Sequence, residues 1–308
     1  MPEASKPRIR RLLMVGFVVA ALAVGADAWS TPSAFLIALV PLTYTIPAFV
    51  WLDRLEPEPR VMRWNAFLWG GRISVLVAGI ANEVTAASVG TAAALVVSAP
   101  VVEETMKALG ILGAARRHQV DTPLDGAVYA GYVGLGFAMI ENVIYFSQAI
   151  TDDELGLVFV LRGLFSPFAH PFFTVWAGLA IGNAVRNGCS RRMATLRGLL
   201  PAVALHATWN ATGVNTVFAF LLLGQIVLFV VVVRRLRRMR NDEVALVRRR
   251  LPNLAFAHDL SPVELEVYGD LRATRRLRRE LPREQRAAFD ERRVMMTKLA
   301  LQEESRTS

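Results

Sequence analysis

Two carboxylates and an ammonium group stand inside an otherwise apolar stretch. Glu103, Glu104 and Lys107 lie in VVEETMKALG, with AASVGTAAALVVSAP before it and ILGAA after it. Each such side chain costs roughly 2.5–3.5 kcal/mol at the centre of a bilayer on insertion scales, so three within five residues call for chemistry or for mutual neutralisation. Three further stretches of the same kind follow. GLGFAMIENVIYF carries Glu141 and Asn142, SPFAHPFFTVWAG carries His170 and Thr174, and LHATWNATG carries His206 and Asn210.

Helical spacing says how these groups are aimed. Glu103 and Lys107 are four apart and share a face, while Glu104 is turned by about 100°. His170 with Thr174 and His206 with Asn210 repeat the four-residue step, so each helix offers one polar edge. A carboxylate that activates water must be ionised, which burial opposes, and Lys107 beside it would offset that penalty. His206 and Asn210 would then supply donors where an oxyanion develops. No Ser or Cys has a base beside it and no Gly-x-Ser-x-Gly occurs, which leaves water as the nucleophile. Glu and His from several helices could instead hold zinc, although His-Glu-x-x-His is absent. A proton- or ion-coupled transporter also buries Glu, His and Asn, and a scaffold gripping a partner helix is a third reading. A purely structural bundle does not need three glutamates, two histidines, an asparagine and a lysine converging.

The elements that must position these groups are membrane helices. Of 308 residues 54% are hydrophobic and the mean hydropathy is positive, which excludes an ordinary soluble domain. Apolar runs long enough for about 30 Å of hydrocarbon fall near 12–29, 32–52, 64–82, 86–114, 124–150, 164–184, 196–213 and 214–233. The sequence therefore predicts an all-α, polytopic fold of about eight transmembrane helices, with the first run an uncleaved span rather than a signal peptide. Arginines and lysines recur in alternate connections, from Lys6–Arg11 through Arg54–Arg63, Arg116–Arg117 and Arg186–Arg197 to Arg234–Arg240, whereas Thr151–Glu154 is acidic. The positive-inside rule then puts both termini in the cytoplasm, as an even number of spans requires. The transmembrane domain is expected over 1–233, with its catalytic helices at about 86–213.

Small residues Ala127, Gly131, Gly134 and Ala138 lead to Glu141 at steps of three and four, Gly178 and Gly182 follow Thr174, and Ala202 precedes His206. Such stripes let transmembrane backbones approach, so the four polar edges should face one another. Pro100, Pro167, Pro171 and Pro201 should kink these helices and admit water. Tyr129 and Tyr145 read as packing residues. The basic charge is concentrated at the end of the chain: from Arg234 onward 19 Lys and Arg face 12 Asp and Glu, against 16 and 14 in the rest. This region, 234–308, is expected to form a cytoplasmic tail of two or three short helices whose Arg-rich RATRRLRRE is by default a solvated face. Anionic lipid suits such a tail better than nucleic acid, for which no fingerprint is present. Cys189, in GCSRR, is the one cysteine, so there is no disulfide framework.

The motifs, in their order and spacing, resemble the PrsW-type glutamic intramembrane proteases, a clan shared with CAAX prenyl endopeptidases and bacteriocin-processing enzymes. They are Glu-Glu-x-x-Lys at 103–107, Leu-Asp-Gly at 124–126, Gly-Phe-x-x-x-Glu-Asn-x-x-Tyr at 136–145, Arg162 followed by His170-x-x-x-Thr174, and His206-x-x-Trp-Asn210. The resemblance covers roughly 32–233 and leaves out the tail. It implies a bacterial multi-pass protease of the cell membrane that cleaves a membrane-anchored protein, anti-sigma factors being the characterised substrate type; no cofactor and no metal is expected, a zinc-dependent membrane protease of the CAAX type being the alternative. Glu103 and Glu104 would activate water, with His170, His206 and Asn210 completing the catalytic set. Lys107, Asp125, Glu141, Asn142, Arg162 and Thr174 would support them. Glu141 lies about 14 Å of helix from the outer end of its span, which leans toward a site opening outward.

Overall fold

The computed structural model describes residues 31–212 and 219–302. The first expected span, 12–29, and the junction at 213–218 lie outside them. Every regular element among the described residues is helical. Helix α1 spans Pro32–Leu52, α2 Arg60–Val89, α3 Ala99–Arg116, α4 Pro123–Thr151, α5 Leu155–Phe159, α6 Ala169–Arg186 and α7 Arg191–Thr212; α8 is Ala219–Leu254, α9 Pro262–Tyr268, α10 Leu271–Glu280 and α11 Arg283–Gln302. Among the described residues four stretches are long and apolar enough to cross a bilayer: Pro32–Leu52, Arg60–Val89, Pro123–Thr151 and Leu155–Arg186. Helix α3 is excluded from that group by the charges that make it interesting. The break before it comes at Gly90, whose φ of 107° is a left-handed conformation natural to glycine, and so falls inside the run expected over 86–114, whose first residues belong to α2.

The chain divides into two units, Met1–Phe49 with Arg60–Ile226, and Val50–Pro59 with Val227–Ser308. In the first, α4 is the central helix, with 89% of its most apolar window buried. Its start is fixed locally. Thr122 Oγ1 accepts the Asp125 N–H while Asp125 Oδ2 accepts the Thr122 N–H at 2.7 Å, a capping box with Pro123 in the first turn.

Glycines let the neighbours reach it. A Cβ on Gly136 would lie 1.8 Å from the Phe67 carbonyl of α2, and one on Gly126 2.1 Å from the Gly178 carbonyl of α6, so backbones touch directly at both places. The close-approach set is thus Gly126, Gly134 and Gly136, not the single stripe through Ala127 and Ala138 that spacing suggests; α4 is buried nearly all round, so no one face defines it. Helix α3 is pinned to α2 by Trp69 Nε1, which donates to the Met106 carbonyl at 2.8 Å over Gly110.

Among the described residues three helical segments are widened to π-type turns, at Trp69–Ser74, Ala94–Ser98 and Val160–Phe165. One of them, Val160–Phe165, carries Arg162 into the polar centre, which fits the tendency of such turns to mark functional sites. Pro167 falls in the irregular link between the last of these turns and α6, and Pro171 sits in the first turn of α6, where a missing N–H costs nothing.

The second unit has its own core of Leu55, Val247, Leu251, Val267, Tyr268 and Met296. The sequence reads a tail beginning at 234. The structure adds Val50–Pro59 to it, with Leu55 in the core and its carbonyl accepting from Arg293 Nη1 at 2.7 Å.

Candidate active site in the buried centre

Lys107 is wholly buried, and its Nζ donates to Glu104 Oε1 at 2.8 Å and to Glu103 Oε2 at 3.4 Å. The shorter pair is the i,i+3 one, so Glu104, which spacing turns away from Lys107, is its tighter partner. The ammonium also lies 3.9 Å from the centroid of the Phe137 ring of α4, an apolar wall that keeps it dry while its quadrupole favours the charge.

Glu104 is saturated. Its Oε1 also faces His206 Nδ1 at 2.9 Å, and its Oε2 accepts the Thr174 hydroxyl at 2.8 Å. Glu103 is not. Its Oε2 is 3.8 Å from His206 Nε2, and its Oε1 has no hydrogen bond among the described residues.

The partners assign the imidazole tautomers. Lysine has donors only, so His170 Nδ1, 3.1 Å from Lys107 Nζ, is an acceptor and His170 Nε2 carries the proton toward Glu141 Oε2 at 2.7 Å. His206 Nδ1 faces a carboxylate oxygen and must donate to it. With that ring neutral, its Nε2 presents a lone pair to a carboxylate oxygen of Glu103, and two acceptors 3.8 Å apart call for a donor or a cation between them. The rings are held by contacts of their own: Phe173 stacks on His206 at 4.7 Å, and His170 meets His206 edge-on at 5.5 Å.

The network ends at a partly exposed edge. Glu141 pairs with Arg162, whose Nε donates to Asn142 Oδ1 at 2.9 Å and whose guanidinium covers the Tyr145 ring at 3.9 Å. Both Glu141 and Arg162 side chains retain 22% of their surface. Arg162 is delivered by the widened turn Val160–Phe165, whose Gly163 carbonyl accepts the Tyr44 hydroxyl.

The structure thus brings together Glu103, Glu104, Lys107, Glu141, Asn142, Arg162, His170, Thr174 and His206. It does not bring in two others. Asn210 lies one turn beyond His206, and its Nδ2 donates to the Leu95 carbonyl of the widened turn before α3 at 2.9 Å. Asp125 serves the α4 cap, 16 residues or roughly 24 Å of helix from Glu141. Sequence reasoning missed the walls Phe137 and Phe173. Phe137 stands one turn before Glu141 on the same face, which is the signal that marks it.

The centre holds three carboxylates and two fixed cations, so with neutral imidazoles it carries one unbalanced negative charge, which a proton or a metal ion would neutralise. One ligand atom each from Glu103, His170 and His206 lies within 4.8 Å of the others, a donor set that suits a divalent cation such as zinc. Glu104 on His206 Nδ1 would then be the carboxylate that orients a ligating imidazole.

A helical protein with apolar spans and a buried Glu–His–Lys centre has the make-up of an intramembrane hydrolase. The chain belongs to the family described as PrsW family intramembrane metalloprotease, whose family model matches residues 58–234, more than half of its length. It is 30% identical to Protease PrsW of Clostridioides difficile over 187 residues, which cover 57% of this chain and 77% of that one. Protease PrsW of Oceanobacillus iheyensis is 29% identical over 132 residues (42% and 59% of the two chains), and that of Geobacillus kaustophilus 27% over 161 residues (51% and 69%). No solved structure matches. The protein is a membrane protease of this family, and every residue of the buried centre lies inside the matched segment.

Proposed function

We propose that the protein hydrolyses a peptide bond in a membrane-anchored protein substrate, using water activated by Glu103, and that it does so as an eight-span cell-membrane enzyme with both termini in the cytoplasm. The observation that carries this is the facing pair of Glu103 Oε2 and His206 Nε2. A water donating to both would be held with its oxygen free to attack a carbonyl carbon. Glu103 takes one of its protons as the C–O bond forms, and delivers it to the amine nitrogen as the C–N bond breaks.

Glu104 is a positioning residue in this scheme, because its oxygens are committed to Lys107, His206 and Thr174. The charge that moves onto the carbonyl oxygen is offset by Lys107 and Arg162, the two cations of the network. Asn210 holds the turn before α3 rather than the oxyanion. The partly exposed Glu141–Arg162 edge is where the substrate enters.

The test begins in cells, by finding which single-pass membrane proteins accumulate uncut when Glu103→Gln replaces the native chain. Those proteins are then reconstituted with purified enzyme. Cleavage should fall at least 100-fold in Glu103→Gln; undiminished cleavage would sink the mechanism.

A second reading is favoured by the convergence of Glu103, His170 and His206. These residues would hold a metal ion, which when bound would supply Lewis-acid polarisation of the carbonyl and of water. In this reading the His170 nitrogen that ligates must first give up its contact with Lys107 or with Glu141. Metal analysis of the purified protein separates the two: a stoichiometric ion, with cleavage lost to chelator and restored by that ion, supports the metal, and chelator-resistant cleavage by metal-poor protein supports Glu103 acting alone.

A further inference from the structure

The second unit contains a cleft of about 780 Å³ that the proteolytic centre does not use. One wall is α10, with Arg272, Arg275, Arg276 and Arg279 at the i, i+3, i+4, i+7 spacing of one helix face. The opposite side of α10 supplies Ala273 and Leu277 to the unit's core, so packing fixes which way the arginines point. The other wall is α8, with Arg240 and Arg248, together with Trp51 at the end of α1 and Arg54 just after it.

Charge within the cleft is not balanced. Its seven arginines face two carboxylates, and both of these are engaged: Asp270 with Arg248 and with the first N–H groups of α10, Glu280 with Arg276. Arg240 is the sharpest sign of a missing partner. It is 9% exposed, its guanidinium lies 4.1 Å above the Trp51 ring, and its buried Nε has no hydrogen-bond partner among the described residues. An unpaired buried donor on a guanidinium costs free energy that an anion in the cleft would recover.

We infer that this cleft binds a phosphate-ester anion, the headgroup of an anionic phospholipid. Arginine forks match phosphate oxygens in pairs, and the volume takes a headgroup rather than a single oxyanion. The location supports a lipid source. Trp51 is the penultimate residue of the apolar run Pro32–Leu52, and Arg240 follows Val233, where the unbroken apolar run of its helix ends, by seven residues, about 10 Å of rise. Both therefore stand at the level where two apolar helices leave hydrocarbon, where tryptophan and arginine meet headgroups. The Arg-rich segment is on this basis a binding wall and not merely a solvated face.

The test uses the full-length protein in neutral detergent, titrated with phosphatidylglycerol, cardiolipin or phosphatidylcholine and separately with pyrophosphate, with binding read by native mass spectrometry. Arg275→Gln/Arg279→Gln, both exposed and free of the core, should weaken anionic-lipid binding at least tenfold, and Arg240→Gln should do the same. Arg192→Gln, an arginine of the other unit, should leave it unchanged. Loss of pyrophosphate binding without loss of lipid binding would keep the phosphate site but assign it to a soluble ligand. Equal binding of phosphatidylcholine, or no loss in either the α10 or the Arg240 variants, would overturn the inference. Cleavage by the α10 variants in detergent should match wild type, so failure here is distinct from failure of the proteolytic reading.

Discussion

Lys107 Nζ and His170 Nδ1 lie 3.1 Å apart, joining residues 63 positions apart in the chain, and this contact fixes the protonation of the imidazole. The ammonium takes the Nδ1 lone pair, so the Nε2–H is aimed at Glu141. One buried cation therefore holds Glu103, Glu104 and His170 in a single arrangement.

The two glutamates of the pair should fail differently. Glu103→Gln removes a base but breaks only its long contacts with Lys107 and His206, so cleavage falls by about 10²–10⁴ with little change in unfolding temperature. Glu104→Gln strips a buried ammonium of its tightest partner, and should cost about 3–5 kcal/mol of stability as well as activity. Thermal unfolding in detergent beside a cleavage assay separates them; equal loss of stability in both variants would contradict the division of roles.

Lys107→Met leaves two buried carboxylates without their cation. Loss of about 3–5 kcal/mol is expected. Lys107→Arg should not rescue, because Lys107 has no exposed surface and its ammonium sits against the Phe137 ring, leaving no volume for the larger guanidinium. Recovery of wild-type activity in the arginine variant would show that the centre is less tightly built than this.

Glycine substitutions should sort by contact. Gly126→Ala places a Cβ 2.1 Å from the Gly178 carbonyl and must push α6 from α4, moving His170 and Thr174, so activity should fall about 100-fold for a shift near 1 Å. Gly113→Ala meets nothing within 4 Å, and in the last turn of α3 should be neutral or stabilising by up to about 1 kcal/mol. Measured activity and unfolding temperature of the two variants check the contrast.

The tail has its own pH dependence. Burial pushes the Glu264 carboxyl up, but the Ser261 N–H, the Tyr268 hydroxyl and Arg292 all donate to it and hold it at about 2, below its ordinary 4.5. A depressed carboxylate contributes stability that is present above pH 4.5 and lost as pH falls toward 2. Glu264→Gln should therefore loosen the second unit at pH 7, with the difference from wild type shrinking below pH 4.5. Hydrogen exchange in 262–268 reads it.

The all-α character and the polar residues that gather in the buried centre were legible in the sequence, because charged groups in apolar runs are costly enough to be meaningful wherever they occur, whereas helix bounds were not, since Gly90 ends α2 inside an apolar run. Leu-Asp-Gly misled only as a site motif: Asp125 is a capping residue, a role legible in Thr-Pro-Leu-Asp. Only the tertiary structure decided which glutamate is saturated, since Glu104 is distinguished by Thr174 and His206, 70 and 102 positions away. Asn210 sits at the same helical step from His206 as Thr174 does from His170, yet it bonds the Leu95 carbonyl, because a widened turn in another helix presents that acceptor. The Arg-rich stripe of α10 was visible as spacing. That it lines a cleft opposite Trp51 and Arg240 depends on Val50–Pro59 folding with a segment that begins at Val227, a pairing that local periodicity does not encode.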